Sequence, residues 1–205
     1  MSRFFKISRK PYDDTIYKKS NIEIKPGVTI LTGCNGYGKT TLLQMIKDEL
    51  RLAKIPIMYY DNKTDGGCNS VSERVFCDDY ATAATLMQSS EGEQIFVNLG
   101  LMAAKIGRFV HEHKRDKELW ILFDAIDSGL SIDYIVDLKE YLFNTILDDN
   151  KDKDIFIICA ANSYEMCRDS NCFDVYSGEY LEFKDYDDYR KYILKCRKQK
   201  DKRCK

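Results

Sequence analysis

The chain has 205 residues, enough for one domain with a modest appendage, and 44% hydrophobic with 12% aromatic content excludes a disordered chain. A formal net charge of -1 supplies no global field for nucleic acid or membrane. No apolar run approaches the ~20 residues of a membrane span, and the start "MSRFFKISRK" lacks a signal-peptide core, so a soluble cytoplasmic protein with no membrane partner is expected.

In chain order, a β-rich lead-in precedes "VTILTG" (28–33), a short strand ending in glycine. "KTTLLQMIKDELRLAK" (39–54) follows with helical spacing at Leu42, Ile46 and Leu50. "IPIMYYD" (55–61) reads as a second strand, and the segment from Asn62 to about Cys77 is loop-rich. A long amphipathic helix is predicted over 94–114, then "LWILFD" (119–124), an uninterrupted apolar strand of the kind buried on both faces of a parallel sheet. A further helix covers 131–149, a further buried strand 154–161, and a closing hairpin 173–183 turns around Gly178. Strands alternating with helices imply an α/β sandwich with a mainly parallel sheet.

The cysteines, Cys34, Cys68, Cys77, Cys159, Cys167, Cys172, Cys196 and Cys204, show no two-residue gap of a zinc ribbon or redox motif, so reduced thiols are expected. His111 and His113, two apart on a helix, point to different sides and read as a solvated face. The last stretch, "LKCRKQKDKRCK" (194–205), carries seven Lys or Arg against one Asp. It reads as a solvated, fraying end, less often as a nucleic-acid contact.

Gly33-Cys34-Asn35-Gly36-Tyr37-Gly38-Lys39-Thr40 fits G-x-x-x-x-G-K-[ST]. Its glycines let successive N–H groups converge on phosphate oxygens, and the helix behind it adds its positive end. Lys39 would reach the β- and γ-phosphates of a nucleotide, and Thr40 would hold magnesium. A carboxylate at the end of a neighbouring buried strand should orient that magnesium, and Asp124 closes "LWILFD".

With these residues in order, the chain resembles the ATP-binding-cassette (ABC) class of P-loop ATPases, in the soluble branch that includes the structural-maintenance-of-chromosomes and DNA-repair ATPases. "GCNGYGKTT" (33–41) is similar to that class's phosphate loop, including Asn35, Gly36 and the doubled Thr40-Thr41. "SSEGEQ" (89–94) resembles its signature motif, and "FDAIDSGLS" (123–131) its acid strand and D-loop. The resemblance implies a P-loop NTPase sandwich with a β-rich N-terminal subdomain and a truncated helical signature subdomain. One nucleotide-binding domain would cover 1–190, with 191–205 as a basic C-terminal tail. It implies ATP and Mg2+ as cofactors and a homodimer across ATP, with Ser90, Gly92 and Glu93 facing the partner's γ-phosphate from a helix start. "SSEGEQ" alone is also a helix-capping pattern. The base would stack on Tyr12 or Tyr17, with Tyr12 favoured by spacing.

Two departures bear on chemistry. The class places a glutamate after the magnesium aspartate as general base, and here that position is Ala125, which cannot accept a proton. The switch histidine is replaced by Asn162, and Asn62 is the nearest amide to the usual Q-loop position. Ala125 is compatible with an engineered trap of the ATP-bound state and with a naturally slow ATP-dependent clamp. Losing a general base costs ~10²–10⁴ in rate, so slow hydrolysis is expected. The expected function is an ATP-dependent dimerisation switch acting on a separate effector protein. The alternatives are a catalytically silent adaptor and, with less support, a small-molecule kinase, for which Arg74 alone offers a lid cation.

Overall fold

A computed structural model describes residues 1–7, 17–62, 75–88 and 91–203 of the chain. Its centre is a six-stranded sheet in the order β4-β5-β6-β3-β7-β8, built from β3 (Gly27–Thr32), β4 (Ile57–Asp61), β5 (Glu118–Asp124), β6 (Asp154–Ala160), β7 (Asn171–Asp174) and β8 (Glu179–Leu181). β3 to β7 run parallel, and β8 returns antiparallel to β7 around Gly178, whose φ of 68° suits glycine. A separate antiparallel ribbon pairs β1 (Arg3–Lys6) with β2 (Asn21–Ile24).

Both faces of the sheet are buried, which explains the continuous apolar strands. Along β5, Leu119, Ile121 and Phe123 enter one core while Trp120 and Leu122 enter the other. The first core receives Met102 and Ile106 of α3 (Glu91–Glu112), with Ile135, Leu138, Phe143 and Ile146 from the helical run after β5. That run is α4 (Ile132–Asp137), a π-helical turn (Leu138–Phe143) and α5 (Asn144–Asp148) without a break. Sequence periodicity predicts one plain helix there; the π turn adds a residue per turn that a 3.6-residue period does not register.

The second core is closed by α1 (Lys39–Leu52) and the β1–β2 ribbon. Leu42, Leu43, Ile46 and Leu50 of α1 are all essentially inaccessible. At ~1.5–3 kcal/mol per buried aliphatic side chain, these four dominate the marginal intrinsic stability of a helix this short. Phe5 meets Trp120 edge-on at 5.3 Å, and Trp120 stacks on Phe156 at 4.0 Å, which ties the ribbon to the sheet.

Two expectations change. The acid strand does not neighbour the phosphate-loop strand, because β6 lies between β3 and β5. The segment from 194 is not a fraying end as far as Arg203, but part of α7 (Tyr186–Arg203). Cys196 is buried there among Cys34, Tyr37 and their neighbours, because one stripe of α7 is apolar enough to join the second core. The remaining helices are α2 (Tyr80–Gln88) and α6 (Tyr164–Cys167). Among the described residues no helix is long and apolar enough to cross a membrane, and the six described cysteines are free thiols.

Candidate nucleotide site

β3 ends in the phosphate loop, and α1 starts from Gly38, whose φ of 93° is a glycine conformation. No side chain caps this helix start, and its first turn holds no acid, so its N–H groups remain open to an anion. Gly33 is obligatory for a different reason: a Cβ there would lie 2.4 Å from the Tyr37 ring. That ring is buried, its hydroxyl donates to Gln199 Oε1 at 2.6 Å, and its N–H donates to Cys34 O at 3.1 Å. Tyr37 therefore braces the loop through its hydroxyl and its N–H.

Lys39 is buried and donates to Gly33 O at 2.6 Å and Cys34 O at 3.3 Å, bridging the loop's own carbonyls. Desolvation by burial holds its pKa below the usual lysine value, against the attraction of Cys34 and Asp127. Thr40 Oγ1 donates to Asp124 Oδ1 at 3.0 Å. Tyr59 donates to Asp124 Oδ2 at 3.3 Å and accepts from Gln44 at 2.7 Å. Burial, then the nearby Asp124 and Asp61 charges, push the Tyr59 hydroxyl up, so it stays a donor.

The turn after Asp124 completes the wall. Ala125 has φ 54°, a left-handed conformation that costs an alanine ~1–2 kcal/mol, and its N–H donates to Ala160 O at 3.0 Å. Asp127 is buried; its Oδ2 accepts from Asn162 N at 2.7 Å and Ser163 N at 2.5 Å. Its Oδ1 is buried and has no hydrogen-bond partner among the described residues. Asn62 donates to Ser128 O at 2.9 Å, tying the end of β4 to the same turn. Asn35, Gly36, Tyr37, Gly38, Lys39, Thr40, Thr41, Asp124, Ala125, Ala160 and Asn162 line one pocket of about 240 Å³. A larger cleft of about 870 Å³ lies at the opposite end of β3, around Lys139 and Phe143, without any phosphate-binding loop.

The structure thus brings the phosphate loop, Asp124, Ala125 and Asn162 together. Tyr12 and Ser90 lie outside the described residues. Gly92 and Glu93 sit in the first turn of α3, the Glu93 side chain lies outside the described residues, and no described residue of α3 lines the pocket. Tyr17, the other base-stacking candidate, is buried and donates to Gly38 O at 2.7 Å, so its ring offers no free face. Sequence reasoning missed Tyr59, Gln44 and the braces from α7. Alternation along β4 marks Tyr59 as sharing a strand face with Asp61, but only the β4–β5 register, which sets Asp61 beside Asp124, brings Tyr59 within reach of the acid.

The donor set also fits a hard divalent cation: the Thr40 hydroxyl and the Asp124 carboxylate meet at the wall of the pocket. Among the described residues no three His, Cys, Asp or Glu cluster together. A threonine hydroxyl beside one carboxylate suits Mg2+, which takes one or two protein carboxylates and fills its other positions with phosphate and water.

A glycine loop on a parallel strand, an uncapped helix start, a buried lysine and a threonine–aspartate pair define a P-loop nucleotide-binding protein. The model of the ATPase family associated with various cellular activities (AAA) matches residues 29–174, and the chain belongs to that family. It is a P-loop ATPase. No curated protein matches its sequence.

Proposed function

We propose that the chain is an ABC-type member of the P-loop ATPases, acting as an ATP-dependent dimerisation switch with slow hydrolysis. The observation that carries this reading is Asp127. It is buried in the D-loop-like turn, holds the backbone of Asn162 and Ser163, and keeps Oδ1 without a donor among the described residues. A turn tied this firmly to the switch position transmits a change at the phosphate site to the exposed Ser128-Gly129 surface, where a second copy would dock.

In this reading Lys39 leaves the carbonyls of Gly33 and Cys34 and reaches the β- and γ-phosphates. Thr40 and Asp124 hold the cation, which, when bound, neutralises phosphate charge and orders water. Tyr59 keeps Asp124 aimed. Asn162 hydrogen-bonds without titrating. Ala125 supplies no proton acceptor, so attacking water is unactivated and hydrolysis is slow. As the resemblance implies, Ser90, Gly92 and Glu93 would face the γ-phosphate bound by the second copy.

The small-molecule kinase reading rests on Arg74 as its lid cation, which lies outside the described residues. For the output we propose a separate effector, with nucleic acid contacting the outer face of α7. The test is molecular mass in solution with and without ATP-Mg2+, for this chain and Ala125→Glu, with phosphate release in parallel. ATP-driven dimers that the glutamate variant dissolves by turnover support the switch. A chain that binds ATP yet stays monomeric in both forms is the silent adaptor instead.

A further inference from the structure

One helix braces both loops that face the nucleotide. Tyr189 of α7 donates to Asn162 O at 2.6 Å, and Tyr192 donates to Asp174 Oδ1 at 2.9 Å and lies 3.3 Å from Thr32 O, where β3 enters the phosphate loop. Cys196 is buried against the loop's core neighbours. One turn on, Gln199 accepts from the Tyr37 hydroxyl at 2.6 Å, and Lys200 Nζ donates to Asn35 O at 3.0 Å. Positions 189, 192, 196, 199 and 200 recur at the i, i+3, i+4 spacing of one helix face.

We propose that Lys200, with Gln199 beside it, is a positioning residue of the phosphate site. Lys200 does not line the pocket, whereas Asn35 and Gly36 do, so its ammonium meets Asn35 O from outside the loop. The 35–36 peptide is trans, so its C=O and N–H point in opposite directions. Holding the carbonyl outward therefore turns the Gly36 N–H inward, toward the place of a phosphate oxygen. The ammonium also lies 3.7 Å from where a Gly36 Cβ would sit, which packs it against the loop's apex. Tyr17 adds a brace at the other end of the loop: its hydroxyl donates to Gly38 O, which also accepts the Leu42 N–H of α1. Gln199 fixes the Tyr37 ring, the wedge between the two peptides.

Without Lys200 the exposed 35–36 peptide is free to flip, since the glycine at 36 tolerates both orientations. The loop then arrives at the phosphate with one donor misdirected, which weakens ATP binding without unfolding anything.

The experiment uses the full chain labelled with ¹⁵N-glycine. ATP affinity is measured by calorimetry in Mg2+, and the ATP-induced shifts of the Gly36 and Gly38 amides are followed by NMR. The unaltered chain tests whether ATP occupies the loop at all, and the variants test positioning. For Lys200→Met the expected result is about tenfold weaker ATP binding, the scale of one hydrogen bond to a charged group. The Gly36 shift is lost while the Gly38 shift persists, and the nucleotide-free melting temperature stays unchanged. Lys200→Arg, which still donates, restores affinity and shift. ATP affinity and a Gly36 shift unchanged in Lys200→Met overturn the proposal. So does a loss that tracks melting temperature and that Lys200→Arg fails to restore.

Discussion

Thr40 Oγ1 lies 3.0 Å from Asp124 Oδ1, although the strand that leads into its loop, β3, and the strand that ends in the acid, β5, are separated by the whole of β6. The contact forms because Thr40 sits on the first turn of α1, past the loop, and leans over the end of β6 toward the acid. Ala160 and Asn162, at the end of β6, thereby stand between the phosphate loop and Asp124. A site built across three strand ends has its cation position set by two elements that do not touch within the sheet.

Thr40→Ala should expose this division of labour. Asp124 keeps its Tyr59 donor, so the fold is preserved, but one oxygen of the cation site is gone. ATP-Mg2+ affinity is expected to fall ~10–100-fold, on the scale seen when a metal site loses an orienting group, while metal-free ATP binds nearly as before. Calorimetry with Mg2+ and with excess chelator measures both. Equal losses in the two conditions would remove Thr40 from the cation site.

Ala125 offers two opposing substitutions. Ala125→Glu is expected to raise turnover ~10²–10⁴-fold, read as phosphate release, because a proton acceptor returns to the wall of the pocket. Ala125→Gly restores no base but relieves a left-handed alanine with φ 54°. It is expected to raise stability by up to ~1 kcal/mol, or ~2–4 °C in melting temperature for a domain of this size. Glycine leaving the melting temperature unchanged would show that the turn carries no strain.

Gly33 is held by sterics. A Cβ there would meet Tyr37 Cδ1 at 2.4 Å, and the ring cannot retreat because its hydroxyl is fixed by Gln199 and its faces are buried. Gly33→Ala is therefore expected to cost ~1–3 kcal/mol as overpacking and to abolish measurable ATP binding. The cost of Gly33→Ala should be smaller in a Tyr37→Ala background than in the unaltered chain, although Tyr37→Ala itself destabilises by emptying a buried site. Equal costs in the two backgrounds would mean that Tyr37 is not what the new methyl meets.

Much of this was legible because each signal is local. The loop glycines, the apolar strands of β5 and β6 and the hairpin at Gly178 are properties of contiguous residues. What escaped depends on distant pairing. Tyr59 reaches Asp124 only through the β4–β5 register, and the order placing β6 between β3 and β5 is invisible to periodicity. The docking of α7 is hidden in the sequence for a clearer reason. Its lysines dominate the composition, whereas its docking rests on a stripe of Tyr189, Tyr192 and Cys196 spread over two turns.

The outer face of α7 is the surface proposed for nucleic acid. Arg190, Lys191, Lys195, Arg197, Lys198 and Lys202 are exposed, and none forms an ion pair among the described residues. At 100° per residue they occupy about 160° of arc, opposite the docked stripe. A labelled DNA duplex should bind at low salt with a log–log salt slope of roughly -4 to -5, if about five phosphates are met. Lys195→Glu with Arg197→Glu and Lys198→Glu should abolish it, while Lys114→Glu with Arg115→Glu should not. Equal effects of the two sets would reduce the face to bulk charge.

Lys39 makes the site pH-dependent before any nucleotide arrives. Burial holds its folded-state pKa below the usual 10.5. Between that lowered value and 10.5 the unfolded chain binds a proton that the native chain lacks, so stability rises with pH across the window. Below the window the buried ammonium is charged in both states, and its desolvation cost is carried in full. Lys39→Met keeps the apolar stem and removes the titration, so its unfolding free energy should lack this rise. Bound ATP should erase the rise in the unaltered chain, because phosphate oxygens stabilise the ammonium and lift its pKa again. Urea unfolding at pH 7 and near pH 10, with and without ATP, reads the difference between the two chains and cancels the tyrosine and cysteine titrations common to both. Parallel stability curves for the two chains would mean that Lys39 is already solvated in the nucleotide-free site, and that ATP does not draw it out of a buried position.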